Sequence, residues 1–404
     1  MRYTFNPRTG RVRGNFTVHN DFEGKELPDG SFEVDLLAFR YGEDADSIGL
    51  LGDDTQLYIS FANIAIPAAL PLLEKEWIAF NDFRCSQCRQ PDDTGCDFSR
   101  LVEFAEKSGP LFGVFDEGTG HITKDQILEP ESCWYDAAKT LSLAIRIQAW
   151  LAGRTDGSDL DDVLYFTLHT GRKEEEFYWE CASFFPDQLA SPYFEMLELE
   201  ECERERLFLP ASDVGFPDLT FVTLWKPHGH GLWNHSSLRV SAVPSGMSET
   251  TVPVAYASFS YMIDNPETEP IARALVAHLV RGLVVLHTHR AHHDLHDGFF
   301  GVVYNNLLEK LWMDFGADAA LGKLGVCDHC GDVFEAMSER KDVKRYCSVT
   351  CQANAKSARQ YRRRKIREAI ASECSNNAHY LLHYLDDPTI TLELVEEVLN
   401  NNHD

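Results

Sequence analysis

Four cysteines in two short-spaced pairs are the residues of this chain best suited to chemistry: Cys327-Asp328-His329-Cys330, then Cys347-Ser348-Val349-Thr350-Cys351. Each pair fits on one tight turn, so two chain segments can clamp one ion without a large core beneath them. Zn2+ would take all four sulfurs as thiolates. A closed shell of four cysteines leaves no position for water, so the site is structural rather than catalytic. The competing readings are four reduced cysteines buried as small hydrophobes, or a redox CxxC pair. Redox chemistry has no use for the second pair. Gly331 directly follows Cys330, as expected where a metal knuckle needs a left-handed or open backbone. His329, between the first two cysteines, is expected to be exposed and not a ligand.

A basic helix is predicted to follow at once, over Lys356 to Arg367. On it Lys356, Arg359, Arg363 and Arg367 form one stripe, and Arg362, Arg364 and Lys365 widen that stripe. Such a surface suits the DNA major groove, where guanidinium groups hold phosphates and pair with guanine; Asn354 and Gln360 could add adenine contacts. With ~4–6 phosphate contacts, log affinity should fall against log salt with a slope of about −4 to −5. DNA is favoured over RNA as the partner. The competing readings are a solvated charged helix that binds nothing, or a finger or C-terminal tail that contacts protein.

Residues 322–367, through Cys327-x2-Cys330-Gly331, Phe334, Arg345-Tyr346-Cys347-Ser348, Cys351, Asn354, Lys356 and the Arg-rich run to Lys365, resemble the C-terminal zinc finger of bacterial CGNR-type proteins. The tetrapeptide that names the family reads Cys351-Gln352-Ala353-Asn354 here. The resemblance implies a bacterial transcription regulator in which the finger follows a stress-regulator-like domain. Tyr346-Cys347-Ser348-x2-Cys351-Gln352 also resembles half of a MYND finger, a protein-interaction module.

Charge is distributed unevenly. Residues 340–367 hold eleven Lys or Arg against one acid, Asp342, a local +10; with a total of −27, the rest of the chain carries −37. A uniformly acidic protein is not expected to bind nucleic acid, but an acidic body with one basic arm can do so through the arm. The same imbalance suggests autoinhibition, the arm folding back on the body until a ligand or partner frees it.

Other constellations are less complete. Cys85-Ser86-Gln87-Cys88 with Cys96 offers three ligands for a second metal, the fourth being Cys133 or His121. Cys181, Cys202 and Cys374 have no interpretable spacing. On a helix, His289, His292, His293 and His296 would share a face, and with Asp294 or Asp297 they would suit a metal-dependent hydrolase built on residues 287–297. The competing reading is a polar helix end before Gly298. His228, His230 and His235 fall in what reads as a loop and could add ligands. No Walker lysine and no GxSxG elbow occurs, so a binding protein is favoured over an enzyme.

These residues must be positioned by an α+β fold. A hydrophobic content of 44% and an aromatic content of 11% exclude general disorder. Four regions are expected: 1–130 with short strands, 131–321 as an α+β body ending in long helices, 322–371 as finger plus basic helix, and 372–404 as a helical tail. Within them, strands are predicted at Phe32–Phe39, Gln56–Phe61, Val163–Thr170, Phe221–Trp225, Leu238–Val243 and Ala255–Tyr261. Helices are predicted at Glu131–Ala152, Thr268–Asp294, Phe300–Leu321 and Thr389–Asn400. The finger is expected to dock on the helix that feeds it. No apolar stretch follows Met1-Arg2-Tyr3, and His278 and Arg281 break the longest apolar run, so neither a signal peptide nor a membrane span is expected. Clustered CxxC thiols then point to a reducing cytoplasm.

Overall fold

The computed structural model describes residues 4–6, 11–13, 16–21, 36–41, 57–65, 97–112, 122–123, 126–161, 163–170, 177–184, 211–213, 215–230, 233–244, 252–296, 299–337 and 343–372. The class is α+β. A six-stranded antiparallel sheet is its largest element. Numbered in chain order, its strands are β7 (Leu164–Thr170), β8 (Phe177–Phe184), β9 (Ala211–Asp213), β10 (Phe216–His230), β11 (Trp233–Pro244) and β12 (Val252–Ser258), in the spatial order β12-β7-β8-β11-β10-β9. A four-stranded sheet joins β3 (Phe16–Asp21), β4 (Leu36–Tyr41), β6 (Gln126–Pro130) and β5 (Ile122–Thr123), and β1 (Thr4–Asn6) pairs with β2 (Arg11–Arg13).

Helices α1 (Leu57–Ala62), α2 (Phe98–Ser108), α3 (Glu131–Leu151), α4 (Phe259–Asp264), α5 (Glu269–Thr288) and α6 (Leu307–Ala320) build the core around one face of the large sheet. Helix α5 lies on β8, β10 and β11, and its opposite side meets α3 and α6. Gly282 permits this closeness, since a Cβ there would lie 2.6 Å from Thr223 Cγ2. By length and composition α5 could cross a membrane, but 61% of its apolar window is buried between sheet and helices. Helix α3 is enclosed on all sides. The expected stripe of Trp134, Ala138, Leu141, Ile145 and Ala149 is buried, and so are Cys133, Ala137, Ala144 and Ile147.

Several expectations fail. Gln56–Phe61 is not a strand: Leu57–Ala62 is a helix, buried against α3 and α6, and a short run of apolar residues carries no period to separate the two forms. Helix α5 stops at Thr288, and His292–His296 is a strand, β13, paired with β14 (Phe299–Val303). The following helix therefore starts at Leu307, not Phe300. Asn306 caps it by accepting from Glu309 N (2.9 Å), and Glu309 accepts from Asn305 N (2.7 Å), a reciprocal cap that fixes the start and leaves residues 299–303 to the strand. Residues 255–258 are strand as expected, but Ser258 then caps α4. The helix expected at Thr389–Asn400 lies outside the described residues.

Candidate metal centre and basic helix

The first cysteine pair sits on a hairpin of β15 (Leu324–Val326) and β16 (Val333–Glu335). Cys327 N donates to Asp332 O and Gly331 N to Cys327 O, both at 2.9 Å, closing the tight turn that holds Cys327 and Cys330. Gly331 has φ +74°, the left-handed backbone anticipated for this position. The second pair straddles the start of α7 (Val349–Ser372), where Ser348 Oγ accepts from Cys351 N at 3.1 Å as the N-cap. Arg345 joins the halves, donating through Nε and Nη2 to Asp328 Oδ2 at 2.7 and 2.6 Å.

The four sulfurs lie within 4.8 Å of one another, with Cys330–Cys347 at 3.6 Å and Cys347–Cys351 at 3.5 Å. Four thiolates ~2.3 Å from a tetrahedral Zn2+ would be ~3.8 Å apart, so the set is near the size that the ion needs. These separations are also far longer than a disulfide bond of ~2.0 Å. Burial would raise the Cys327 thiol, but N–H groups of Cys330, Cys347 and His329 aimed at its sulfur outweigh this and bring it down to about 7. Burial pushes Cys330 up, and burial with the Cys351 thiol beside it takes Cys347 up to about 11. A divalent cation offsets that cost by neutralising the crowded thiolates. Cys327, Cys330, Cys347 and Cys351 would hold it, and its contribution is to cross-link the hairpin to the start of α7. His329 is exposed.

The finger is fused to the body through residues that carry no motif. Chain connection runs from α6, yet the hairpin packs on α3 and α1, not chiefly on the helix that feeds it. Leu324 and Val333 belong to the main apolar core. Asn63 forms a reciprocal pair with Val333, Nδ2 to O at 3.0 Å and N to Oδ1 at 2.9 Å. Arg100 reaches Asp332 (3.2 Å), and Arg154 reaches Gly322 O (3.0 Å). Arg146, only 2% exposed, donates to Gly331 O within the metal turn and to Asp159, both at 2.6 Å. Arg146→Met leaves Asp159 and the Gly331 carbonyl without this donor, and should destabilise the chain by roughly 3 kcal/mol. Denaturant unfolding of both proteins measures it.

Helix α7 runs well beyond the predicted 356–367 and, at 24 residues, is about 36 Å long. Arg359, Arg362, Arg363, Lys365 and Arg367 lie along it, and Lys356 and Arg364 are exposed. Arg364 stands over the Tyr361 ring at 5.4 Å. Among the described residues α7 shares no extended contact with any helix or strand of the body.

The described residues assemble none of the remaining candidates. Cys85, Cys88, Cys96 and His121 lie outside the described residues, and Cys133 is fully buried in the core on α3. Burial also raises the Cys181 thiol. Because β13 is a strand, His289, His292, His293 and His296 do not share a helix face; His292 and His293 occupy opposite faces of β13. His287 is in the core, stacked on Trp312 at 4.1 Å with Nδ1 donating to Leu283 O. Among residues whose side chains are described, the Cys327 set alone brings three or more metal-ligating groups together.

Burial holds His287 down at about 3, against 6.5 for an ordinary imidazole. The unfolded chain therefore takes up this proton first as pH falls. Stability should drop from about pH 6.5 toward pH 3, and His287→Phe should remove that part of the slope. Denaturation midpoints of both proteins across this range test it.

The chain matches no family model, no curated protein and no solved structure.

Proposed function

We propose that this chain is a zinc-finger nucleic-acid-binding regulator, with DNA the favoured partner and α7 as its contact surface. The observation that carries the reading is the union of a four-cysteine centre with a basic helix that shares no extended contact with the described helices and strands of the body. Between Lys356 and Lys365 only Ala358 and Tyr361 are apolar, so this run of the helix has little to bury against its own fold and suits a polar partner. Lys356, Arg359, Arg362, Arg363, Arg364, Lys365 and Arg367 supply the charge for phosphate, against Glu368 alone within α7. The CGNR-like motif residues support the same reading. The body, on this account, senses a ligand or partner.

A second reading has its own support. Val349, 82% exposed, and Val343 lie beside the cysteines, as an adaptor finger that binds protein would have them. Binding of the full-length chain to labelled duplex DNA and single-stranded RNA across a salt series separates the two. The regulator reading expects a log–log slope of about −4 to −5, with duplex DNA the tighter ligand. No binding to either, with salt-insensitive capture of a protein, makes the adaptor the correct reading.

A further inference from the structure

Two residues mark the inner side of α7. Cys351 belongs to the sulfur cluster, and Ala355, one turn on, is only 9% exposed. At ~100° per residue, Val349, Ala353, Ser357, Gln360 and Arg364 lie within ~40° of the line directly opposite these two. All five are exposed, Val349 to 82%. They form an outer ridge, turned away from the cysteines.

From Val349 to Gln360 this ridge carries no charge: Val349 is apolar, Ala353 and Ser357 are small, and Gln360 is an amide. Charge lies beside it and beyond it. The helical register places Lys356 and Arg363 on one flank and Tyr361 with Lys365 on the other, and the ridge itself turns basic at Arg364 and Arg367. A helix that only gripped phosphate would have guanidinium groups all along its most exposed line. Base edges ask for different chemistry: an apolar group against the methyl of thymine, an amide against adenine, and short side chains that let the helix come close.

We propose that this ridge is the base-reading edge of α7, in which Val349 and Ala353 pack on thymine methyl groups and Gln360 pairs with adenine. The assignment rests on the reading of α7 as a DNA-contacting helix, and gives that reading a sequence class: A·T pairs met in the major groove. The Gln360 amide both accepts and donates, as the N6 amino group and N7 of adenine require. Asn354, the other residue expected to read adenine, is ~100° round the helix from Ala353 and lies off the ridge. Val349 to Gln360 spans about 16 Å, or ~5 base pairs at ~3.4 Å each. The groove winds round the duplex while a helix runs straight, so the basic turns beyond Gln360 leave the groove floor and meet phosphate. Arg364, which stands over the Tyr361 ring at 5.4 Å, belongs to that second part.

The test uses the full-length chain with Zn2+. A preferred duplex is selected from a randomised pool, and affinity is then measured with each thymine replaced by uracil, which lacks the methyl group, and each adenine by 7-deazaadenine, which lacks N7. The unaltered chain should lose about fourfold in affinity per methyl removed at one or two thymines, and about tenfold at one adenine. Val349→Ala should abolish a uracil penalty and Gln360→Ala the 7-deazaadenine penalty, each with the salt slope unchanged. Penalties that persist in both variants, or salt-dependent binding with no preferred sequence, overturn the ridge and leave α7 a phosphate-binding helix. Failure of the unaltered chain to bind any duplex overturns the ridge and the DNA reading together.

Discussion

Stripping the metal, or changing Cys330 to Ser, is expected to lower the thermal midpoint of the whole body and not merely to fray the finger. Apparent binding free energies for structural Zn2+ in finger peptides are ~10–16 kcal/mol, as large as the entire stability of an ordinary domain at ~5–15 kcal/mol. Most appended fingers would keep that energy to themselves. Here Leu324 and Val333 are core residues of the body, and the buried Arg146 has one of its three acceptors within the metal turn. When the turn opens, Arg146 loses the Gly331 carbonyl and the Asn63–Val333 pair loses its fixed backbone. Thermal scans with and without chelator should show one cooperative transition moving down together. A body transition that ignores the chelator would mean that the finger is an independent appendage.

The second large effect concerns affinity. Changing Arg362, Arg363 and Arg364 together to Ala should weaken nucleic-acid binding about 100-fold near physiological salt, and flatten the log–log slope by about 2.7. Three lost phosphate contacts give both numbers, so the two must change in step. The helix itself should persist, because Ala is the best helix former. Circular dichroism checks this. Lost affinity with an unchanged slope would mean that these arginines act without touching phosphate.

How much was legible in the sequence depended on how local the rule was. The CxxC turn and Gly331 are set by four or five consecutive residues, and the cysteine cluster and positive φ follow from them. Helix α3 declared itself through Trp134, Ala138, Leu141, Ile145 and Ala149. The segment His292–His296 fits both periods: its histidines recur at three and four, while His292, Asp294 and His296 recur at two. Pairing with Phe299–Val303 decides between them, and no helix rule contains that partner. Leu57–Ala62 shows no helical period because five of its six residues are buried.

The residues that join finger to body were not legible at all. Arg146 is a lone guanidinium between Ile145 and Ile147, and Asn63 and Arg100 belong to no motif. Their roles come from chain segments up to 270 residues apart meeting at one turn. His228, His230 and His235 are visible as residue types, but the sequence reads them as a loop, and only the pairing of β10 with β11 shows that they lie on strands.

Cobalt substitution of the purified full-length chain tests the central claim most directly. The account predicts one equivalent of Co2+ with intense thiolate-to-metal charge-transfer absorption, displaced by Zn2+ and abolished by Cys327→Ser. Absorption without those bands, or four thiols that react freely with a thiol reagent in the presence of Zn2+, would contradict the four-cysteine centre and the placement of α7 that depends on it.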